Sequence, residues 1–196
     1  EAERLGSDQL LSSALAVNAW IDCLCGRDFD RAAMQRALAL EAVHLDAPVT
    51  LSASAINAVL LVWIGDVDAA AAQLERVRER LLDRGADTEM LWVSTNAVMI
   101  GILRGDYAEA AAEARDTVER AERLGGAHVM SIALTLRGAV AAYTGDEASA
   151  REDLHTAIEL TKGCGSPYAD IGSSLLAFLE VSVGNYEQAL TVLQPM

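Results

Sequence analysis

Gly105-Asp106-Tyr107-Ala108-Glu109-Ala110 decides how this chain folds, because it recurs. Arg27-Asp28-Phe29-Asp30-Arg31-Ala32, Gly65-Asp66-Val67-Asp68-Ala69-Ala70, Gly145-Asp146-Glu147-Ala148-Ser149-Ala150 and Gly184-Asn185-Tyr186-Glu187-Gln188-Ala189 are variants of it. Their Asp or Asn positions lie 38, 40, 40 and 39 residues apart. A fixed period of this size marks stacked supersecondary units, none of which buries its apolar face alone. The Gly permits a left-handed backbone where one helix stops. The Asp or Asn caps the next helix by accepting from an otherwise unpaired backbone amide. Every copy has Ala four residues later, which leaves room for a neighbouring helix. Eight residues before the Asp or Asn, Ala58, Gly138 and Ala177 are also small, whereas Trp20 and Val98 are not. Repeats one and three are therefore expected to pack differently.

Working outward, longer connections alternate with these turns: Pro48, then Gly85-Ala86-Asp87, Gly125-Gly126 and Gly163-Cys164-Gly165-Ser166-Pro167. Ser166 followed by Pro167 is a cap with proline at the first helical position. The pattern predicts ten helices over 8–25, 29–45, 49–64, 67–84, 88–104, 107–124, 127–144, 147–162, 167–183 and 186–194. The expected fold is all-α, a single domain over 1–196 in which about five antiparallel helix pairs stack into a right-handed superhelix. The chain starts at Glu1 without Met, and its last helix stops short at Pro195 and Met196. It is read as a piece of a longer protein.

Composition supports close helix packing: hydrophobic residues make up 52%, aromatics only 5%, and there are three prolines. A net charge of −14 repels phosphate, so no nucleic-acid binding is expected through this segment. Arg76, Arg78, Arg80 and Arg84 interleave with Glu75, Glu79 and Asp83, as on a solvated helix face. The longest apolar run, Ala58 to Ile64, is far short of a membrane span, and no cleavable leader is expected. A cytoplasmic location without membrane contact is expected. Cys23, Cys25 and Cys164 read as reduced thiols in or near a helix core. His44, His128 and His155 are too scattered for a metal pair. Asp28/Asp30 and Asp66/Asp68 sit at helix starts, the first of each pair as a cap and the second favoured by the helix dipole. There is no phosphate-binding loop and no nucleophile elbow. The chain is expected to be non-catalytic, with no cofactor and no metal.

The small residue, Gly-Asp, aromatic and Ala around Gly105, Asp106, Tyr107 and Ala110, and around Gly184, Asn185, Tyr186 and Ala189, resemble tetratricopeptide repeats. The period near 40 exceeds that family's usual length of about 34 and implies longer helices. The Ala-rich pairs, with helix ends such as Ala121-Glu122-Arg123-Leu124-Gly125, are similar to the long helical region of large ATP-binding LuxR-type transcriptional regulators. That likeness implies a superhelix between an N-terminal ATPase and a C-terminal helix-turn-helix, one that senses an effector or partner and controls self-association. Neither the ATPase motif nor a helix-turn-helix lies in these residues.

In tetratricopeptide arrays the first helix of each pair lines the concave surface. Carried over at 14, 11, 7, 4 and 3 residues before the Asp or Asn, that lining includes Ile21, Val59, Trp63, Trp92, Thr95, Met99, Leu103, Thr135, Tyr143, Ser174 and Phe178. It is apolar, studded with aromatics and almost uncharged. The alternative is that these side chains pack against neighbouring repeats as core. Arg137 and Glu180 break the apolar pattern and are placed on the surface, able to pair or to bind a polar group. The expected function is a protein-interaction, effector-sensing and oligomerisation module of a transcriptional regulator, taking a protein or small effector, with possible self-association. The alternative is a free-standing tetratricopeptide adaptor that grips a peptide or protein.

Overall fold

The computed structural model describes residues 7–41, 48–162 and 166–194. Glu1, His44, Cys164, Pro195 and Met196 lie outside them. Ten helices follow in order: α1 (Asp8–Leu24), α2 (Arg31–Leu40), α3 (Ala53–Trp63), α4 (Val67–Arg84), α5 (Asp87–Arg104), α6 (Tyr107–Leu124), α7 (Ala127–Thr144), α8 (Glu147–Leu160), α9 (Pro167–Ser182) and α10 (Tyr186–Leu193). None of the described residues is in a strand. The predicted ends of α4, α6 and α7 match. The third helix is predicted from residue 49 but starts at Ala53, because Val49–Leu51 forms a 3-10 turn. Ser52 then caps α3, its Oγ accepting from the Ala55 amide at 3.2 Å.

The residues gather into two compact units, Glu1–Asn96 and Ala97–Met196, with the division falling inside α5. In the first, α1 packs on α2 and α3, and α3 on α4. In the second, α7 packs on α6, α8 and α9, α8 also packs on α9, and α9 on α10.

One turn recurs in both units. Gly26, Gly65, Gly105, Gly145 and Gly184 all have positive φ, between 72° and 85°. The next residue returns its amide to the carbonyl five positions back. Arg27 bonds Asp22 at 2.9 Å, Asp66 bonds Leu61 at 2.9 Å, Asp106 bonds Gly101 at 2.8 Å, Asp146 bonds Ala141 at 2.9 Å, and Asn185 bonds Glu180 at 2.7 Å. This is the six-to-one closure of a helix end on a left-handed residue.

The turn corrects the register of the first repeat. The five glycines lie 39, 40, 40 and 39 residues apart, so Arg27 and not Asp28 is the counterpart of Asp66. A longer link follows, and Asp30 caps α2 by accepting from the Ala33 amide at 2.9 Å. Ala32 is exposed; Met34 and Ala37 take the buried places. The small-residue rule changes with it, since Ala19, which is buried, is now the counterpart of Ala58, Gly138 and Ala177. Trp20 is no exception, and Val98 remains one.

Capping is less uniform than the sequence suggests. Asp66 and Asp146 accept from Ala69 and Ser149 at 3.3 Å and 3.2 Å. Asp106 and Asn185 make no side-chain cap bond. Asp106 pairs with Arg104 at 3.1 Å, and Asn185 donates to Glu180 at 2.7 Å.

Small residues sit where helices cross. Ala70, Ala110, Ala150 and Ala189 are all buried. A Cβ added at Gly101 would lie 3.0 Å from the Ala110 Cβ, and one at Gly138 would lie 2.8 Å from the Leu154 Cγ. Within the units, α3, α7 and α9 seat their pairs by the same stripe. Ala53, Ile56 and Leu60 of α3 bury among Ala16, Ala19, Met34 and Ala37. Leu136 and Val140 of α7 bury with Ala110 and Ala114, and Leu179 of α9 with Ala150 and Leu154.

Three substitutions separate crossing points from surface. Gly138→Ala and Ala110→Leu are each expected to lower unfolding free energy by about 1–3 kcal/mol through overpacking. Ala32→Leu, at the exposed position, should change it by less than about 0.5 kcal/mol. Denaturant melts of the three variants check this, and an unchanged Gly138→Ala melt would contradict the close crossing.

Candidate functional site: an uncharged face on the first helices

The residue that closes each glycine turn (Arg27, Asp66, Asp106, Asp146 or Asn185) gives a common origin. Seven residues earlier stand Trp20, Val59, Met99, Ala139 and Phe178. Three residues earlier stand Leu24, Trp63, Leu103, Tyr143 and Ser182. Positions four apart share one face of a helix. In the first unit Leu24 and Trp63 are exposed, while Trp20 and Val59 are half-buried. In the second, Met99, Leu103, Tyr143 and Phe178 are exposed.

Tyr143 of α7 and Phe178 of α9 come together because those two first helices pack side by side. Their rings stack with centroids 4.7 Å apart and planes at 24°, yet the residues keep 43% and 41% of their surface accessible. Stacked aromatics are usually core material, because each ring has a large apolar area to bury. The neighbouring Leu176, Ala177 and Leu179 of α9 and Ala141 and Ala142 of α7 are buried, whereas the two rings, each covering one face of the other, stay partly open to solvent.

Not all the sequence-derived positions join this face. Ile21 was placed by counting from Asp28; in the glycine register it lies one residue off, on a different stripe of α1. Trp20 and Leu24 are the residues that the count missed, and Gly26 was the signal that would have found them. Thr135 is buried, its hydroxyl donating to the Ser131 carbonyl at 2.8 Å. Thr95 is half-buried and donates to the Leu91 carbonyl at 2.8 Å. Trp92 is half-buried and Ser174 exposed.

The face carries little charge for a structural reason. α3 has no acidic, basic or histidine residue, α7 has only His128 and Arg137, and α9 only Asp170 and Glu180. Arg137 forks onto the buried Asp153 carboxylate, with both contacts at 2.7 Å. That hydrogen bonding raises the guanidinium's pKa.

Glu180, expected on the surface, is buried. It accepts from Arg151 Nε at 2.7 Å and from Asn185 Nδ2 at 2.7 Å. Arg151 also pairs with Glu147 at 3.0 Å. The Arg151 hydrogen bond, outweighing desolvation, holds the Glu180 carboxyl below its usual value of 4.5. These groups border an open cleft of about 900 Å³ together with His155 and Tyr186, and Glu147, Arg151 and Glu180 are already engaged with one another.

In the first unit, Arg80 leaves its helix face to reach Glu41 at 3.2 Å, and Glu41 also accepts from the Ser54 amide at 2.9 Å. Arg78, by contrast, is half-buried and pairs with Glu75 one turn away at 3.4 Å.

Among the described residues no group of three His, Cys, Asp or Glu could hold a metal ion, and no helix is long and apolar enough to cross a membrane. No family model matches the chain, and no curated protein matches it.

The Glu180 pair has a pH signature. A carboxyl held below its unfolded value contributes stability that is complete above that value, near 4.5, and is lost as pH falls through the lower folded value. Glu180→Gln should lower the melting temperature at neutral pH and shrink its fall on acidification below pH 4.5. Thermal melts across that range check this; parallel curves for parent and variant would contradict it.

Proposed function

We propose that this chain is a non-catalytic interaction module, a tetratricopeptide-like array of period near 40 in which the first helices offer an uncharged apolar face to a protein segment or small effector. The carrying observation is the Tyr143–Phe178 stack, exposed with Met99 and Leu103 in the same unit. Large apolar groups left open to water are a cost that a monomeric fold normally avoids, and clusters of them mark binding surfaces. Aromatic anchors on rigid helices supply much of the energy at such surfaces, because little side-chain entropy is lost when they are covered. A charged partner would give up hydration here and find no counter-ion, so the preferred occupant is neutral and apolar where it touches the rings.

The wider setting proposed is the sensing and oligomerisation segment of a LuxR-type transcriptional regulator. It is supported by the Ala-rich helix pairs and their Gly-Asp turns. An ATPase phosphate loop encoded ahead of this segment and a helix-turn-helix after it would carry that setting.

Tyr143→Ala and Phe178→Ala test the face itself. Each should lower stability by only about 1–2 kcal/mol, against roughly 3–5 for a fully buried aromatic. Peptides selected on the parent chain from a displayed random library should bind either variant at least about tenfold more weakly, a difference of about 1.4 kcal/mol. Selected peptides that bind both variants with parental affinity, or melts that lose the full core value, would contradict the reading.

A further inference from the structure

The chain has five methionines, and four of them, Met34, Met90, Met99 and Met130, are among the described residues. Met34 and Met90 keep 1% and 2% of their surface accessible, and Met130 is half-buried. Met99 keeps 51%. The helix beneath it is held firmly. Val98 is buried with Ala110 and Leu136, Ile102 packs on the same cluster, and a Cβ at Gly101 would press on the Ala110 Cβ at 3.0 Å. The backbone under Met99 is thus fixed, while its thioether stands open in the uncharged face, one turn from the exposed Leu103.

The polar groups nearest Met99 along α5 are already engaged. The Thr95 hydroxyl and the Asn96 amide donate to the Leu91 and Trp92 carbonyls, each at 2.8 Å. Arg104 is paired with Asp106 at 3.1 Å. A reduced methionine suits such a place, because it behaves as a flexible apolar side chain. Its sulfur is also a soft nucleophile, and two-electron oxidation turns the thioether into a polar, chiral sulfoxide.

We propose that Met99 is a reversible oxidation site that switches the apolar face off, with an uncharged peroxide as the oxidant, a proposal that rests on reading that face as a partner-binding surface. The sulfur lone pair attacks one peroxide oxygen and the O–O bond breaks. The hydroxide released takes the remaining proton and leaves as water. The thioether loses the two electrons that the peroxide gains. A methionine sulfoxide reductase restores the thioether with two electrons from a dithiol, which becomes a disulfide as water is released. The −14 charge of the chain repels anionic oxidants and leaves hydrogen peroxide unaffected. Once formed, the sulfoxide oxygen is well hydrated. An apolar partner that covers it strips that hydration and supplies no donor in return, so binding is weakened.

Hydrogen peroxide titrated onto the intact chain, followed by peptide mapping with mass spectrometry, tests the site. Oxygen should be added at Met99 first, at Met130 later, and at Met34 and Met90 last. Peptides selected on the untreated chain should bind the oxidised chain at least about tenfold more weakly, with circular dichroism and melting unchanged. Reductases for both sulfoxide epimers should restore the affinity. Cys25 is exposed and Cys23 half-buried, and their thiols also react with peroxide. Met99→Leu keeps both thiols and is the control: peroxide should leave its affinity for peptides selected on it as it was before treatment. Three results would overturn the switch while the face stands: Met99 oxidising no faster than Met34 and Met90, Met99→Leu losing affinity on treatment, or ring-dependent binding that survives full conversion of Met99. Peptide binding indifferent to both Tyr143→Ala and Phe178→Ala would instead remove the face reading, and the switch with it.

Discussion

The structure depends on one backbone constraint, the left-handed glycine that ends each first helix. At Gly26, Gly65, Gly105, Gly145 and Gly184 the chain reverses within a residue or two, and the following amide closes onto the carbonyl five back. That closure fixes where the next chain segment leaves the helix. It thereby fixes which side chains of the first helix face the preceding pair and which remain open. Ala110 against Gly101, Leu154 against Gly138 and Ile158 against Gly172 are crossings that work only in that register. The same register places Met99 and Phe178 at one level and Leu103 and Tyr143 one turn on.

Charge is sorted by the same geometry. Two charged groups of the first helices are tied to partners off their own helix: Glu180 to Arg151 and Asn185, and Arg137 to Asp153. A buried carboxylate is tolerated only when its oxygens are paired, and Glu180 meets that condition. The apolar face beside it is left free of competing charge, which suits an occupant chosen by shape and apolar contact. The acidic excess of the chain, 29 Asp and Glu against 15 Lys and Arg, is spread over first helices, second helices and connections, and Met99, Leu103, Tyr143 and Phe178 stand clear of it in sequence.

Local signals were legible in the sequence and non-local ones were not. The helix order and most boundaries follow from Gly, Asp, Ser and Pro acting on their own neighbours, as at Ser166-Pro167, where the Ser166 Oγ accepts from the Tyr168 amide at 3.3 Å. The first repeat misled because Asp28-Phe29-Asp30 matches the recurring string by composition, while the turn itself is made by Gly26 and Arg27. A side-chain match competed with a backbone requirement, and the backbone won. Glu180 was misplaced because its partner Arg151 lies 29 residues away, on a different helix, where no periodicity reaches. Arg80 and Glu41, 39 residues apart, were hidden in the same way. Of the expected lining, the aromatic positions of α7 and α9 lie together, whereas Thr135 turns inward to its own helix.

Gly145→Ala tests the central constraint most directly, because a Cβ at Gly145 would meet nothing within 4 Å. Any loss of stability then comes from the backbone alone, held at φ 82° and ψ 14°. Holding an L side chain there costs about 1–3 kcal/mol, and Gly145→Asn should cost less because asparagine tolerates the left-handed region. Chemical denaturation of the two variants beside the parent should show that loss in that order. An alanine variant as stable as the parent would contradict the account.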